Sequence, residues 1–232
     1  MAASPVLSAA LLASARPLHL PLIAPVGLAF PRGRISEIHG APSSGRTSLL
    51  FNALAQATAQ EGDLCALVDS TDAFDPDSAA AGGVQLNRLL WIRCEQAQGR
   101  APLVAGGRFV RPLEKAFRAV DLLLQANGFG VVVLDMADVD ARAADRVPLN
   151  YWYRFRRAVE QTRTALLVIT EKPQARQCAA FSVEAQRRGE EWSGVAGCSR
   201  TLDGVELHFE PRKPPGSARA SMPARMPIAA GG

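Results

Sequence analysis

Residues 40–47 read Gly-Ala-Pro-Ser-Ser-Gly-Arg-Thr, a phosphate-binding loop in every position but one. The regular pattern is G-x-x-x-x-G-K-[ST]. Its glycines let successive backbone N–H groups curl around phosphate oxygens, its lysine reaches the terminal phosphates and its hydroxyl ligates magnesium. Gly40, Gly45 and Thr47 are in place, and Arg46 stands where lysine is expected. Lysine is a compact point charge and arginine a wide planar fork, so the exchange keeps the charge and changes the geometry of the cradle. Of 26 basic residues only Lys115, Lys172 and Lys213 are lysine, so drift toward arginine is a second reading of the exchange. The pattern assigns nucleotide contact to Gly40, Ser43, Ser44, Gly45, Arg46, Thr47 and Ser48.

A loop of this kind needs a strand before it and a helix after it. Residues 34–39 set Ile35 and Ile38 among polar neighbours as a short strand. Leu49, Leu50, Ala53, Leu54 and Ala57 then recur at helical spacing, with the helix ending near Glu61-Gly62. A second strand is expected at 64–68, closing on Asp69. Gly82-Gly83 marks a break, 89–92 a further strand, and 96–111 a Gly/Pro/Arg-containing loop. Leu113, Ala116, Phe117, Val120, Leu123 and Leu124 outline a second amphipathic helix, stopped by Asn127-Gly128.

The run Val131-Val132-Val133-Leu134-Asp135 has the composition of a parallel strand buried on both faces. A helix at 149–162, a buried strand at 165–169 and shorter strands at 181–186 and 205–209 complete the order. Strands alternating with helices predict an α/β fold: a mostly parallel twisted sheet, helices on both faces, and ligand at the strand C-terminal ends. The chain divides into an N-terminal segment, 1–27, as a partner or assembly contact, a nucleotide-binding domain, 28–210, and a basic Pro/Arg/Ala tail, 211–232, expected to be disordered.

The sequence pI of about 9.2 invites a nucleic-acid reading, but four basic residues and no acidic ones lie in 211–232. Residues 1–210 hold 22 of each sign, so a DNA contact has to come from a local cluster or from the tail. The apolar stretch 6–13 lacks a basic flank and is too short to span a bilayer, so no signal peptide or anchor is expected. Cys65, Cys94, Cys178 and Cys198 show no metal-ligand spacing and read as buried thiols of a reducing cytoplasm.

Asp135, at the end of its apolar strand, pairs with the Thr47 hydroxyl as a candidate magnesium site. The stretch from Gly33 to Thr47, with Leu67-Val68-Asp69 and Ala73-Phe74-Asp75-Pro76, resembles the RecA recombinase core. The similarity is carried by motif over 28–95 and by pattern over 112–210. A short chain with altered motifs is, within that superfamily, most similar to ImuA-type accessory factors of damage-induced translesion mutagenesis. The resemblance implies a P-loop NTPase core, ATP and magnesium as cofactors and a cytoplasmic location. It also implies RecA or translesion polymerase components as partners, with single-stranded DNA and self-association as further contacts.

The departures from that family bear on turnover. The glutamate that would activate water, two residues past Asp69, is Thr71, whose hydroxyl does not ionise at neutral pH. Asp72 is the candidate substitute. Ser78 lies where an aromatic residue would stack on adenine, and Glu171 stands in place of the family's sensing glutamine.

For partner or DNA contact the candidates are Tyr151, Arg154 and Arg157 on the helix whose Trp152, Phe155 and Val159 face the core, with Lys172 and Arg176 in the following loop. The loop 136–148, where the family places a DNA-binding loop, carries Asp138, Asp140 and Asp145 against Arg142 and Arg146, which does not favour phosphate contact. Three readings stand at this point: a nucleotide-binding accessory protein with weak or no hydrolysis, an active DNA-stimulated ATPase, and a non-enzymatic scaffold with an empty pocket.

Overall fold

The computed structural model describes residues 28–60, 63–94, 111–194, 201–213 and 222–227. The N-terminal segment 1–27, Cys198 and most of the loop expected at 96–111 lie outside them. The described elements run β1 (Ile35–His39), α1 (Arg46–Ala59), β2 (Cys65–Asp69), α2 (Pro76–Ala81), β3 (Leu89–Arg93), α3 (Arg111–Ala126), β4 (Val131–Asp135), α4 (Ala141–Asp145), α5 (Leu149–Glu160), β5 (Ala165–Thr170), β6 (Ala179–Ser193), β7 (Thr201–Lys213) and β8 (Met222–Pro227). Among the described residues the strands form one sheet in the order β3-β2-β4-β5-β1-β6-β7-β8. The pairs from β3 to β6 are parallel, and β7 and β8 add antiparallel.

β2, β4 and β5 are almost continuous apolar runs because the sheet is covered on both sides. One face packs Ile38, Leu67, Val131, Val133 and Leu167 against Leu49, Leu50 and Leu54 of α1. The other packs Ala66, Val68, Val132, Leu134 and Val168 against Phe117 of α3 and Trp152 and Phe155 of α5. Phe117 stacks on Phe155 at 5.3 Å and meets Trp152 edge-on at 5.3 Å, which fixes α3 against α5. The helix stop at Asn127 follows from its left-handed φ of 50°.

Parallel register brings the strand ends level: Asp69 lies beside Asp135, Asp135 beside Ile169, and His39 beside both Thr170 and Glu184. β1 sits between β5 and β6, while the chain leaves it through α1 for β2 on the far side of β4. The loop after β1 therefore opens at a switch of strand order, where α/β sheets bind ligands.

Two expectations change here. The short strands at 181–186 and 205–209 are the middle of a long hairpin, β6 with β7, paired from Ser182 opposite Lys213 to Ser193 opposite Thr201. The tail expected to be disordered from Pro211 contributes the end of β7 and all of β8, which pairs Met222 with Phe209 and Pro227 with Gly204. Antiparallel pairing satisfies these backbones without an apolar run, so composition concealed them. The other residues of 211–232 lie outside the described set.

Candidate phosphate-binding site

Gly40 follows β1 and accepts no side chain: a Cβ there would lie 2.4 Å from the Ala185 carbonyl oxygen and 2.5 Å from Ser44 Oγ. Its N–H donates to the Thr170 carbonyl at 3.3 Å, and Ser44 N–H donates to Ala41 O at 3.1 Å, curling the loop. Ser43 and Gly45 take left-handed φ values of 61° and 90°. α1 then begins at Arg46 with no side-chain cap. Its first-turn N–H groups have no intrahelical acceptors, and together with the positive end of the helix they form a candidate anion site. Thr47 is exposed, Ser48 half-buried, and Ser44 Oγ is buried with no hydrogen-bond partner in the described structure.

Arg46 does not reach outward. Its side chain is 5% exposed. Nη1 donates to Gly40 O at 2.7 Å and to Thr170 O at 3.2 Å, and Nη2 to Asp138 Oδ1 at 3.3 Å. Leu207 of β7 packs against the loop from above; a Cβ on Gly45 would lie 2.3 Å from its Cδ1. Residues 42, 43 and 45–48 line a cavity of about 400 Å3, closed by Asp138, Val205 and Leu207.

Asp135 accepts Ala137 N–H at 2.9 Å. Burial pushes its carboxyl up to about 6, helped by Asp69 and Asp138 and opposed by the Ala137 hydrogen bond and Arg46. A strand-end carboxylate with spare acceptor capacity suits a magnesium ion that keeps most of its waters. Thr47 lines the cavity, whereas the carboxylate on the cavity wall is Asp138. The sequence had assigned Asp138 only to the acidic loop.

Asp69 is an organiser of the chain after β2. Its carboxylate accepts Thr71 and Ala73 N–H at 3.2 Å, Phe74 N–H at 3.0 Å and Trp91 Nε1–H at 3.3 Å. Asp72 is held by the Arg93 fork through both oxygens at 2.5 Å, which keeps its carboxyl below the usual range. A carboxylate so engaged is a weak base, and these contacts tie it to β3. Ser78 hydrogen-bonds Asp75, the cap of α2.

The partner-contact candidates fall in separate places. Tyr151 and Arg154 line a surface cavity of about 530 Å3 with Glu114, Lys115, Arg118 and Asp121. Arg154 lies 4.8 Å over the Tyr151 ring and pairs with Asp121. Arg157 is exposed on α5. Lys172 and Arg176 instead border a second cavity, of about 500 Å3, with Glu171, His39, Glu184 and Arg212.

His39 is buried there, and burial, modified by Glu184 and Arg212, lowers its pKa. Glu37, unmarked by sequence reasoning, is buried in β1 and accepts Gln174 N–H at 2.6 Å and Ala175 N–H at 3.1 Å. An acidic residue between the two isoleucines of a short strand was the available signal. Burial raises the thiols of Cys65 to about 12 and Cys94 to about 11, which keeps both unreactive.

Fold and loop define the class: a doubly wound α/β protein with a P-loop-like turn and a helix N-terminus at its switch point. The family model for the RecA N-terminal domain matches residues 13–106. RecA of Chlorobaculum parvum is 38% identical over 106 residues, 46% of this chain and 26% of that protein. RecA of Streptococcus agalactiae is 30% identical over 149 residues, 61% of this chain and 37% of that protein. RecA of Chloroflexus aurantiacus is 30% identical over 125 residues, 51% and 31% respectively. The matched stretches span about a quarter to two-fifths of these relatives, and with the fold they support membership of a RecA-like superfamily. No described helix is long and apolar enough to cross a membrane.

Proposed function

We propose that this chain is a RecA-like, nucleotide-binding accessory protein of DNA repair and damage-induced mutagenesis, of the ImuA type, with slow or no ATP hydrolysis. The observation that carries it is Arg46, whose guanidinium is spent on Gly40, Thr170 and Asp138 inside an otherwise complete phosphate loop. Thr71 at the water-activating place and Asp72 bound by Arg93 point the same way, because phosphoryl transfer needs a residue to orient the attacking water. ATP would bind at residues 40 and 43–48, with magnesium held by Thr47 and Asp135. The ion would supply positive charge that offsets charge developing on the phosphates.

Function would then reside in contacts with RecA or translesion polymerase components. Tyr151, Arg154 and Arg157 form one candidate surface and Lys172 and Arg176 another. Residues 1–27 are the candidate assembly contact, and the whole works in the cytoplasm. Single-stranded DNA is a further ligand on this reading.

ATP binding and turnover, measured with and without single-stranded DNA, test the proposal. Wild type is expected to bind ATP and to release phosphate at background rate. Arg46→Lys is expected to tighten binding, and only Arg46→Lys with Thr71→Glu to gain turnover, by tenfold or more. DNA-stimulated turnover in wild type that Thr47→Ala abolishes would establish the active ATPase instead. No binding at millimolar ATP in wild type or Arg46→Lys would leave the scaffold.

A further inference from the structure

We propose that Arg46 and Asp138 form a latch that closes the phosphate loop on itself, so that a nucleoside phosphate binds by displacing protein acceptors from one guanidinium. The latch rests on the nucleotide-binding reading above and concerns how that site is regulated.

Three separate segments meet on the fork: Gly40 at the start of the loop, Thr170 at the end of β5 and Asp138 beyond β4. Nη1 alone meets both carbonyls, and the second nitrogen of the planar fork adds Asp138, an arm that the single nitrogen of a lysine does not supply alongside them. Hydrogen bonds from a charged donor to buried carbonyls are stronger than neutral ones, so the fork is well held from the loop side. The third arm is weaker. Asp138 has a 59% exposed side chain, meets Nη2 at 3.3 Å and is open to solvent screening.

The fork is also the positive charge that a phosphate entering the cradle would seek. While protein oxygens satisfy it, the binding-competent state is only a fraction of the population, and apparent affinity falls by that fraction. Asp138 is therefore the arm through which the equilibrium can be moved by substitution. It lies in the loop 136–148, so a partner that engages that loop would control access to the cradle.

Titration with N-methylanthraniloyl-ADP and magnesium, on wild type, Asp138→Asn and Asp140→Asn, decides the matter. Asp140 lies in the same loop and caps α4, a role asparagine also fills, so its variant removes one charge without touching Arg46. Asp138→Asn is expected to tighten binding about fivefold and Asp140→Asn to leave it unchanged, with thermal unfolding of each variant within a few degrees of wild type. Equal affinity in wild type and Asp138→Asn overturns the latch and leaves the nucleotide reading intact. So does an equal gain in Asp140→Asn, which would reduce the effect to removal of a charge. Weaker binding in Asp138→Asn would make Asp138 a ligand of the bound metal and also overturns the latch. Absence of binding in every variant at millimolar nucleotide overturns the nucleotide reading and the latch with it.

Discussion

Gly45 is doubly constrained, by a φ of 90° and by Leu207 lying where any Cβ would go. A left-handed backbone on a non-glycine residue costs about 1–3 kcal/mol and overpacking a further 1–3 kcal/mol. Gly45→Ala is therefore expected to lose about 2–4 kcal/mol in urea unfolding. A loss under about 1 kcal/mol would contradict both constraints at once. Arg46 carries the opposite lesson. In the motif it is a lysine equivalent, but its partners make it part of the structure of the loop, and a lysine there would keep the charge and change the fit.

Between elements, the buried ion pair of Arg32 and Asp63, at 2.5 Å, joins the segment before β1 to the turn before β2. Arg32 Nη1 also donates to Gly130 O at 3.2 Å and Arg163 O at 3.3 Å, ahead of β4 and β5. One guanidinium thus ties the entry ends of the central strands, opposite the phosphate loop. Removing one member of such a pair strands the other charge, so Asp63→Ala is expected to destabilise by about 3–5 kcal/mol, read by denaturant unfolding. Asp63→Ala combined with Arg32→Met should recover part of that loss, because no buried charge is then left alone. At the other end of the sheet Glu37 does comparable work, fixing the chain after β5 through Gln174 and Ala175 N–H.

For the whole molecule, Asp135 sets a pH dependence. Its carboxyl is raised from 3.8 to about 6 on folding, so the native state binds the extra proton between those values. Stability from this group is greatest below about pH 4 and falls as pH rises to about 6. The penalty at neutral pH is at most about 3 kcal/mol. Asp135→Asn is expected to raise the thermal midpoint at pH 7.5, with the gain vanishing near pH 4. A gain independent of pH would assign it to packing instead. Such a penalty suits a carboxylate kept for ligand binding.

Much of the fold was legible because β2, β4 and β5 are almost wholly apolar and the long helices are amphipathic, patterns set by burial on two faces or one. β8 and the ends of the hairpin were not legible, since edge pairing needs only backbone groups and tolerates Pro, Arg and Gly. By itself the sequence determined the strand–loop–helix unit and the two carboxylates that end strands, which follow from local spacing and residue chemistry, while the departure at Thr71 was read from the resemblance to the RecA core. Only the tertiary structure decided what Arg46 does. Its partners Asp138 and Thr170 lie 92 and 124 residues away in the chain, and Leu207 arrives on another strand. Such contacts are created by sheet order and register, which bring distant strand ends level, and no local periodicity encodes them.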